Sequence, residues 1–255
     1  MPNILDNRES MKIATGFTDL DKALSGGFPK SSLVVIGSRP AMGKSTLMHD
    51  LAIAMKKDGK PLKIYRLENT DEQVIEKTKG QLEKSDFGPY TRRFGHLLDC
   101  LELDAQNGIK VFLIDYLQLI FHPHENQHQS ISEIVNSLKS FSMQHECLVV
   151  ITSQLNRRPE DRQGHRPQLS DLRDSGCIEE DADLVILILR REYYDPQDKP
   201  GMAELIIAKN RYGEKSSVHM AFNRTEVSFR NYIPMVYTPE EESEAVRAFS
   251  QFMPV

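Results

Sequence analysis

The sequence predicts an α/β protein: a mostly parallel central sheet flanked by helices, with antiparallel strands at its C-terminal edge. Three observations carry this prediction. Short apolar runs alternate with amphipathic stretches, as βα units require. Beyond Pro200 the pattern changes to short runs separated by turn residues, which suits antiparallel neighbours. The 255 residues contain no internal repeat and no long Pro/Gly/Ser linker, and their number allows one large, well-buried domain.

Taken in order, strands are expected at Leu33–Gly37, Lys63–Leu67, Val111–Tyr116, Leu148–Thr152 and Leu184–Leu189. Helices are expected after Gly43, after Asp71, around Thr91–Ala105 and after Ser130. The runs AELIIAKN, SSVHMAFN and EVSFR supply the antiparallel strands, with turns at Arg211-Tyr212-Gly213 and Asn223-Arg224. The closing stretch TPEEESEAVRAFSQFMPV reads as a solvated tail or a short docking helix whose acidic start suits the helix dipole.

Composition excludes several classes. Hydrophobic content of 39% and charged content of 27% argue against disorder. No apolar run approaches the roughly 20 residues that span a bilayer. The N-terminal MPNILDNRES lacks a basic region followed by an apolar stretch, so no secretory leader is expected. Cys100, Cys147 and Cys177 are too few and too scattered for a disulfide framework or zinc ribbon, which points to a reducing cytoplasm. A net charge of −5 gives no overall attraction to nucleic acid, so any such contact needs a local patch.

The stretch VVIGSRPAMGKSTLMHD carries the clearest chemistry. An apolar strand enters a loop ending Gly43-Lys44-Ser45-Thr46, and an apolar helical pattern follows at Leu47, Leu51 and Met55. A phosphate-binding loop needs this order: backbone N–H groups cradle phosphate, a lysine reaches the β- and γ-phosphates, and a hydroxyl holds Mg²⁺. Ser38 stands where the pattern has its leading glycine. Serine is acceptable there if that position avoids positive φ. In VFLIDYLQLI, Asp115 follows four apolar residues, the Walker B arrangement. A lone carboxylate ending such a run is costly to desolvate without a partner. Glu68, in KIYRLEN at the end of the next strand, is either a base beside the γ-phosphate or a solvated strand-end glutamate.

Six ordered blocks then resemble the C-terminal motor domain of DnaB-type replicative helicases, within the RecA-like P-loop ATPases. They are SRPAMGKST, RLEN, LIDYLQLI, SQLNRR, RPQLSDLRDSGCIEEDADLVILILRREYY and IIAKNRYGE, and the likeness runs from Thr15 to about Phe229. The resemblance implies a phosphate loop of Ser38, Arg39, Pro40, Ala41, Met42, Gly43, Lys44, Ser45 and Thr46, the family accepting a small residue at the Ser38 position. It implies that Ser45 and Asp115 serve Mg²⁺, that Glu68 is the catalytic base, and that Gln154 senses the γ-phosphate. Lys209 and Arg211 match a basic pair that a neighbouring subunit inserts. Without the family match, a solvated hairpin pair would be the preferred reading of these two. Arg173, Asp174 and Gly176 match positions that meet single-stranded DNA.

The implied activity is ATP-dependent DNA helicase or translocase action in replication, with ATP and Mg²⁺ as ligands and a homo-oligomer, a hexameric ring or filament, as the working form. The alternative is a nucleotide-binding accessory paralogue that binds ATP and a replication partner protein without unwinding. The expected layout is an N-terminal arm (1–14), a RecA-like motor domain (15–232) and an acidic C-terminal tail (233–255). Two departures from the family bear on ring assembly: the N-terminal collar domain is absent, and the stretch between Glu68 and Asp115 is short by a strand and a helix. The segment NRRPEDRQGHR reads as a modestly basic, mobile loop, either solvated or touching DNA, and His122, His124 and His128 fit no common zinc spacing. No stacking platform of the OB-fold kind is visible.

Overall fold

The computed structural model describes residues 12–121, 127–172 and 175–232. The main sheet has eight strands. In chain order they are β3 (Ser32–Ser38), β4 (Leu62–Arg66), β5 (Val111–Asp115), β6 (Leu148–Gln154), β7 (Leu184–Leu189), β8 (Met202–Asn210), β9 (Ser216–Asn223) and β10 (Ser228–Asn231). A separate two-stranded ribbon pairs β1 (Lys12–Ile13) with β2 (Phe28–Pro29). Lys12 and Ile13 belong to the expected N-terminal arm, and the expected tail lies outside the described residues.

Spatial order across the sheet is β10-β9-β8-β7-β3-β6-β5-β4. The strands from β7 to β4 run parallel, and β8, β9 and β10 are antiparallel, as expected from the change of pattern beyond Pro200. β3 lies at the centre, with Val35 facing Ile151 on one side and Val185 on the other. Its seven residues are all buried, because helices cover both faces.

Strand periodicity sorts the core into two layers. Val34 and Ile36 pack with Leu47, Leu51 and Met55 of helix α2 (Lys44–Lys57). Leu33 and Val35 pack in the other layer. That layer takes Leu97 and Leu101 from α4 (Phe94–Gln106) and Ile134 and Leu138 from α5 (Gln127–Gln144). Helix α1 (Thr18–Ala23) lies against β9, and Thr18 N donates to Asn231 Oδ1 at 2.8 Å. Helix α3 (Asp71–Lys77) opens with a capping box, Thr70 and Gln73 each bonding the other's backbone. A short helix α6 (Ser175–Asp181) precedes β7.

Several strand ends shift by one or two residues and α4 begins at Phe94 rather than near Thr91, but two departures from expectation are larger. Helix α5 starts at Gln127 rather than after Ser130, because its first turn, QHQS, is polar and shows no apolar period. The segment Asn156–Arg166 is not a loose loop. It forms two short 3₁₀ turns, and Arg162 pairs with the buried Asp171 at 2.8 Å. Arg166 pairs with Glu204, and Glu160 with Arg39, so much of this segment's charge is spent internally.

Candidate functional site

Parallel sheets place their binding sites at the carboxyl ends of the strands. β3 ends there in the loop Arg39–Gly43, and α2 begins at Lys44. Ser38 remains in the extended backbone of β3, paired with Gln154 and Ile188, so serine meets no strain. The left-handed positions fall instead to Ala41 (φ 62°) and Gly43 (φ 95°). A Cβ on Gly43 would also lie 3.0 Å from the Phe229 ring. Arg39 Nη1 donates to Leu155 O at 2.8 Å and Nε to Glu160 Oε1 at 2.8 Å, anchoring the loop to the 3₁₀ segment.

A cavity of about 480 Å³ opens over this loop. Ser38, Lys44, Ser45, Thr46, Glu68 and Gln154 line it, the last two delivered by the ends of β4 and β6. Lys44 Nζ lies 3.9 Å from Asp115 Oδ1 and 4.0 Å from the centre of the Tyr116 ring. Burial lowers the Lys44 proton affinity, while Asp115 and Glu68 act to raise it. Asp115 itself is buried at the end of β5, where it accepts the Thr152 hydroxyl at 2.5 Å. Its desolvated carboxylate therefore has both a donor and a nearby cation. Gln154 N donates to Gln118 Oε1 at 3.1 Å, and Gln118 Nε2 donates to Ser153 Oγ at 2.8 Å, which fixes the end of β6.

Lys44, Ser45, Glu68 and Gln154, singled out in the sequence, thus line one hollow, and buried Asp115 stands behind Lys44. Lys209 and Arg211 do not join them. Lys209 pairs with Val185 at the start of β7, and the Arg211 N–H bonds Asp183 O. That is the opposite end of the parallel strands from the cavity, since Leu184 aligns with Val34 near the start of β3. Both side chains rest on the end of α6: Lys209 Nζ donates to Glu179 O and Glu180 O, and Arg211 Nη2 to Glu180 O. Gly176 is exposed in the first turn of α6. Arg173, Asp174, His122 and His124 lie outside the described residues, as does the His128 side chain. Among the described residues no cluster of His, Cys, Asp and Glu could hold a metal.

Several cavity residues went unread in the sequence. Arg190, just past the end of β7, places its guanidinium 3.5 Å from the centre of the Phe222 ring and donates from Nη1 to Ala41 O at 3.3 Å. His49 is buried, its proton affinity lowered chiefly by burial, and it lines the cavity beside Lys77. The signal for His49 was its place one turn after Ser45 on the same helix. Arg190 and Phe222 carried none, because only tertiary pairing brings them to the loop.

Among the described residues no helix is long and apolar enough to cross a membrane. The sequence pattern of the DnaB-like helicase C-terminal domain family matches residues 12–86 and 97–231. A replicative DNA helicase, DnaC, of Bacillus subtilis (strain 168) is 34% identical over 86% of this chain, and the chain spans 56% of that relative's length. The solved ATPase domain of G40P superposes with a TM-score of 0.81 at 27% identity, covering 90% of this chain and 96% of its own. A DnaB-like replicative helicase, solved in a study of its interactions with primase, gives a TM-score of 0.80 at 25% identity, covering 90% of this chain and 65% of its own. A family pattern that takes in every strand of the sheet, and a relative identical at a third of the aligned positions, lead to one conclusion: the chain belongs to the DnaB-like helicase C-terminal domain family.

Proposed function

We propose that residues 15–232 form an ATP-hydrolysing motor domain that works on single-stranded DNA as an oligomer, in the cytoplasm, flanked by an arm (1–14) and an acidic tail (233–255). The observation that carries this reading is the convergence of Lys44, Ser45, Glu68, Asp115 and Gln154 around one hollow at the carboxyl ends of β3 to β6.

The residues present suit a nucleotide triphosphate and Mg²⁺. The first turn of a helix leaves N–H groups without carbonyl partners, and here that turn opens into the hollow. Lys44, losing proton affinity through burial, regains it as phosphate charge arrives. The Ser45 hydroxyl and the Asp115 carboxylate are oxygen donors, which a hard cation prefers. Magnesium bound there would neutralise charge on the phosphates. Glu68, exposed at the rim, takes the proton of the attacking water on a carboxylate oxygen. Gln154 reads the γ-phosphate. The residue after it, Leu155, bridges Leu172, and Asn156 N donates to Asp171 O at 2.8 Å, so a short backbone path leads toward Arg173 and Asp174. With Gly176, those two would hold the DNA backbone in a sequence-tolerant, salt-sensitive manner.

Lys209 and Arg211 would act on the site of an adjoining subunit, since their own lies across the sheet. A partner of the primase class is the corresponding proposal from the relative whose study concerns primase.

The test measures ATP hydrolysis against protein concentration, with and without single-stranded DNA, beside Glu68→Gln. The expected specific rate climbs with concentration and again with DNA. The variant keeps nucleotide affinity but loses hydrolysis by about 10²-fold or more. Tight ATP binding with negligible hydrolysis throughout would instead make this a nucleotide-dependent accessory protein.

A further inference from the structure

Residues 87–96, FGPYTRRFGH, fall between the two stretches that match the family pattern. They carry Arg92, Arg93 and His96 and no carboxylate, in a chain whose net charge is −5. The segment forms a strap along the outer edge of β4. Phe87 bridges Ile64, Gly88 N donates to Ile64 O at 3.0 Å, and Arg66 Nη1 donates to Gly88 O at 2.8 Å. The strap then crosses the carboxyl end of the sheet. Arg92 Nε and Nη2 both donate to Leu67 O, at 3.0 and 2.7 Å, one residue before Glu68. It next locks onto the segment leaving β5: Phe121 N donates to Arg92 O at 2.6 Å, and Phe94 N to Phe121 O at 3.0 Å.

This arrangement buries Phe87 and Phe94 but leaves Tyr90 56% and Phe121 63% exposed. Single exposed apolar residues need no explanation. These two differ because backbone bonds join the segments that carry them, and arginines stand among them. The Arg92 guanidinium lies 5.8 Å from the centre of the Tyr90 ring, and the exposed Arg93 pairs with Phe121 through its backbone. Flat rings with cations, and no acid within the strap, complement a polymer of flat bases and phosphates.

We propose that Tyr90 and Phe121, with Arg92 and Arg93, form a stacking site for the bases of single-stranded DNA. The inference rests on the DNA-acting reading above and extends it to the strap, which the family pattern does not match, and to Phe121 beside it. Binding there is indifferent to base identity, since every base has a π face. Because Arg92 holds the residue before Glu68, the site is tied to the nucleotide cavity.

Fluorescence anisotropy on the full chain, with an oligothymidylate and an abasic oligonucleotide of equal length, tests the proposal. Tyr90→Ala and Phe121→Ala are expected to weaken oligothymidylate binding about tenfold each and to leave abasic affinity at the wild-type level. Tyr90→Phe keeps the ring and keeps the affinity, which separates stacking from damage to the fold. Arg93→Ala weakens both ligands and lowers the salt slope by about one. Alanine variants that bind oligothymidylate like the wild type would overturn the inference and leave the motor reading intact. So would equal losses on both oligonucleotides, or a change confined to self-association in sedimentation, which would assign the surface to protein. A wild-type chain that binds neither oligonucleotide would overturn the DNA-acting reading, and the stacking site with it.

Discussion

Asp50, on the helix that follows the phosphate loop, shows how much the site leans on single groups. Burial is the leading cause that pushes its carboxyl up to about 6, against the opposing pull of the Phe229 N–H and Arg230. The N–H bond, 2.7 Å long, pins β10 to α2, and the Phe229 ring packs on Gly43. A raised carboxyl stabilises the fold below its unfolded value of 3.8, and that contribution is lost as pH rises through about 6. Asp50→Asn retains an oxygen for the Phe229 N–H without the charge. At pH values above the folded pKa the variant should be more stable by on the order of 2 kcal/mol, and urea titrations should show the difference closing below the unfolded value. Legibility at this scale followed sequence distance. Lys44, Ser45 and Asp115 could be singled out because each lies in or close after an apolar run that marks its strand. Arg190 was not, since it meets Ala41 O from a strand nearly the whole domain away.

Among the elements, α6 and the β8–β9 turn form one unit. Cations favour the carboxyl end of a helix, and Lys209 and Arg211 occupy that end of α6. The Asp183 carboxylate, just beyond, accepts Leu33 N at 2.8 Å and Lys139 Nζ at 2.7 Å, so β3 and α5 meet at the same point. If the pair acts on a neighbouring subunit as proposed, leaving these contacts uncaps the helix next to the proposed DNA contacts. Arg211→Ala should lower hydrolysis by about 10³-fold or more. It should also speed amide exchange across α6 by the loss of roughly 0.3–1 kcal/mol of capping. Unchanged exchange would mean that finger and helix are independent. The strands were legible as elements, Leu184–Leu189 to the residue, because apolar runs announce them. The strap of residues 87–93 was not. It read as the remnant of a lost strand and helix, since its bonds to β4 and Phe121 follow no period.

For the whole molecule, the decisive fact is that cavity and basic pair lie at opposite ends of the strands of one sheet. On the proposed reading, catalysis depends on assembly, and mixing tests it. Lys44→Ala chains lack the phosphate lysine but keep the finger, and Arg211→Ala chains are the reverse. Each alone should be inactive, while their mixture should recover hydrolysis at junctions that pair an intact cavity with an intact finger. Failure of the mixture, with both chains folded and associating, would mean that the pair acts within its own chain or not at all. The overall architecture was legible because the parallel order follows from alternating strand and helix. Which edge faced which partner was not, since strand order is settled by pairing across the sheet.

The bond from Thr18 to Asn231 has a consequence for chain order. The two stretches that bound the described fold lie side by side, so a flexible linker of a few residues would join them. A circular permutant opened in the exposed turn around Asp195–Lys199 would begin translation with the antiparallel ribbon and reach the phosphate loop later. It should regain the same circular dichroism and nucleotide affinity while folding along a different route, making this sheet a closed circuit that can be entered at more than one point.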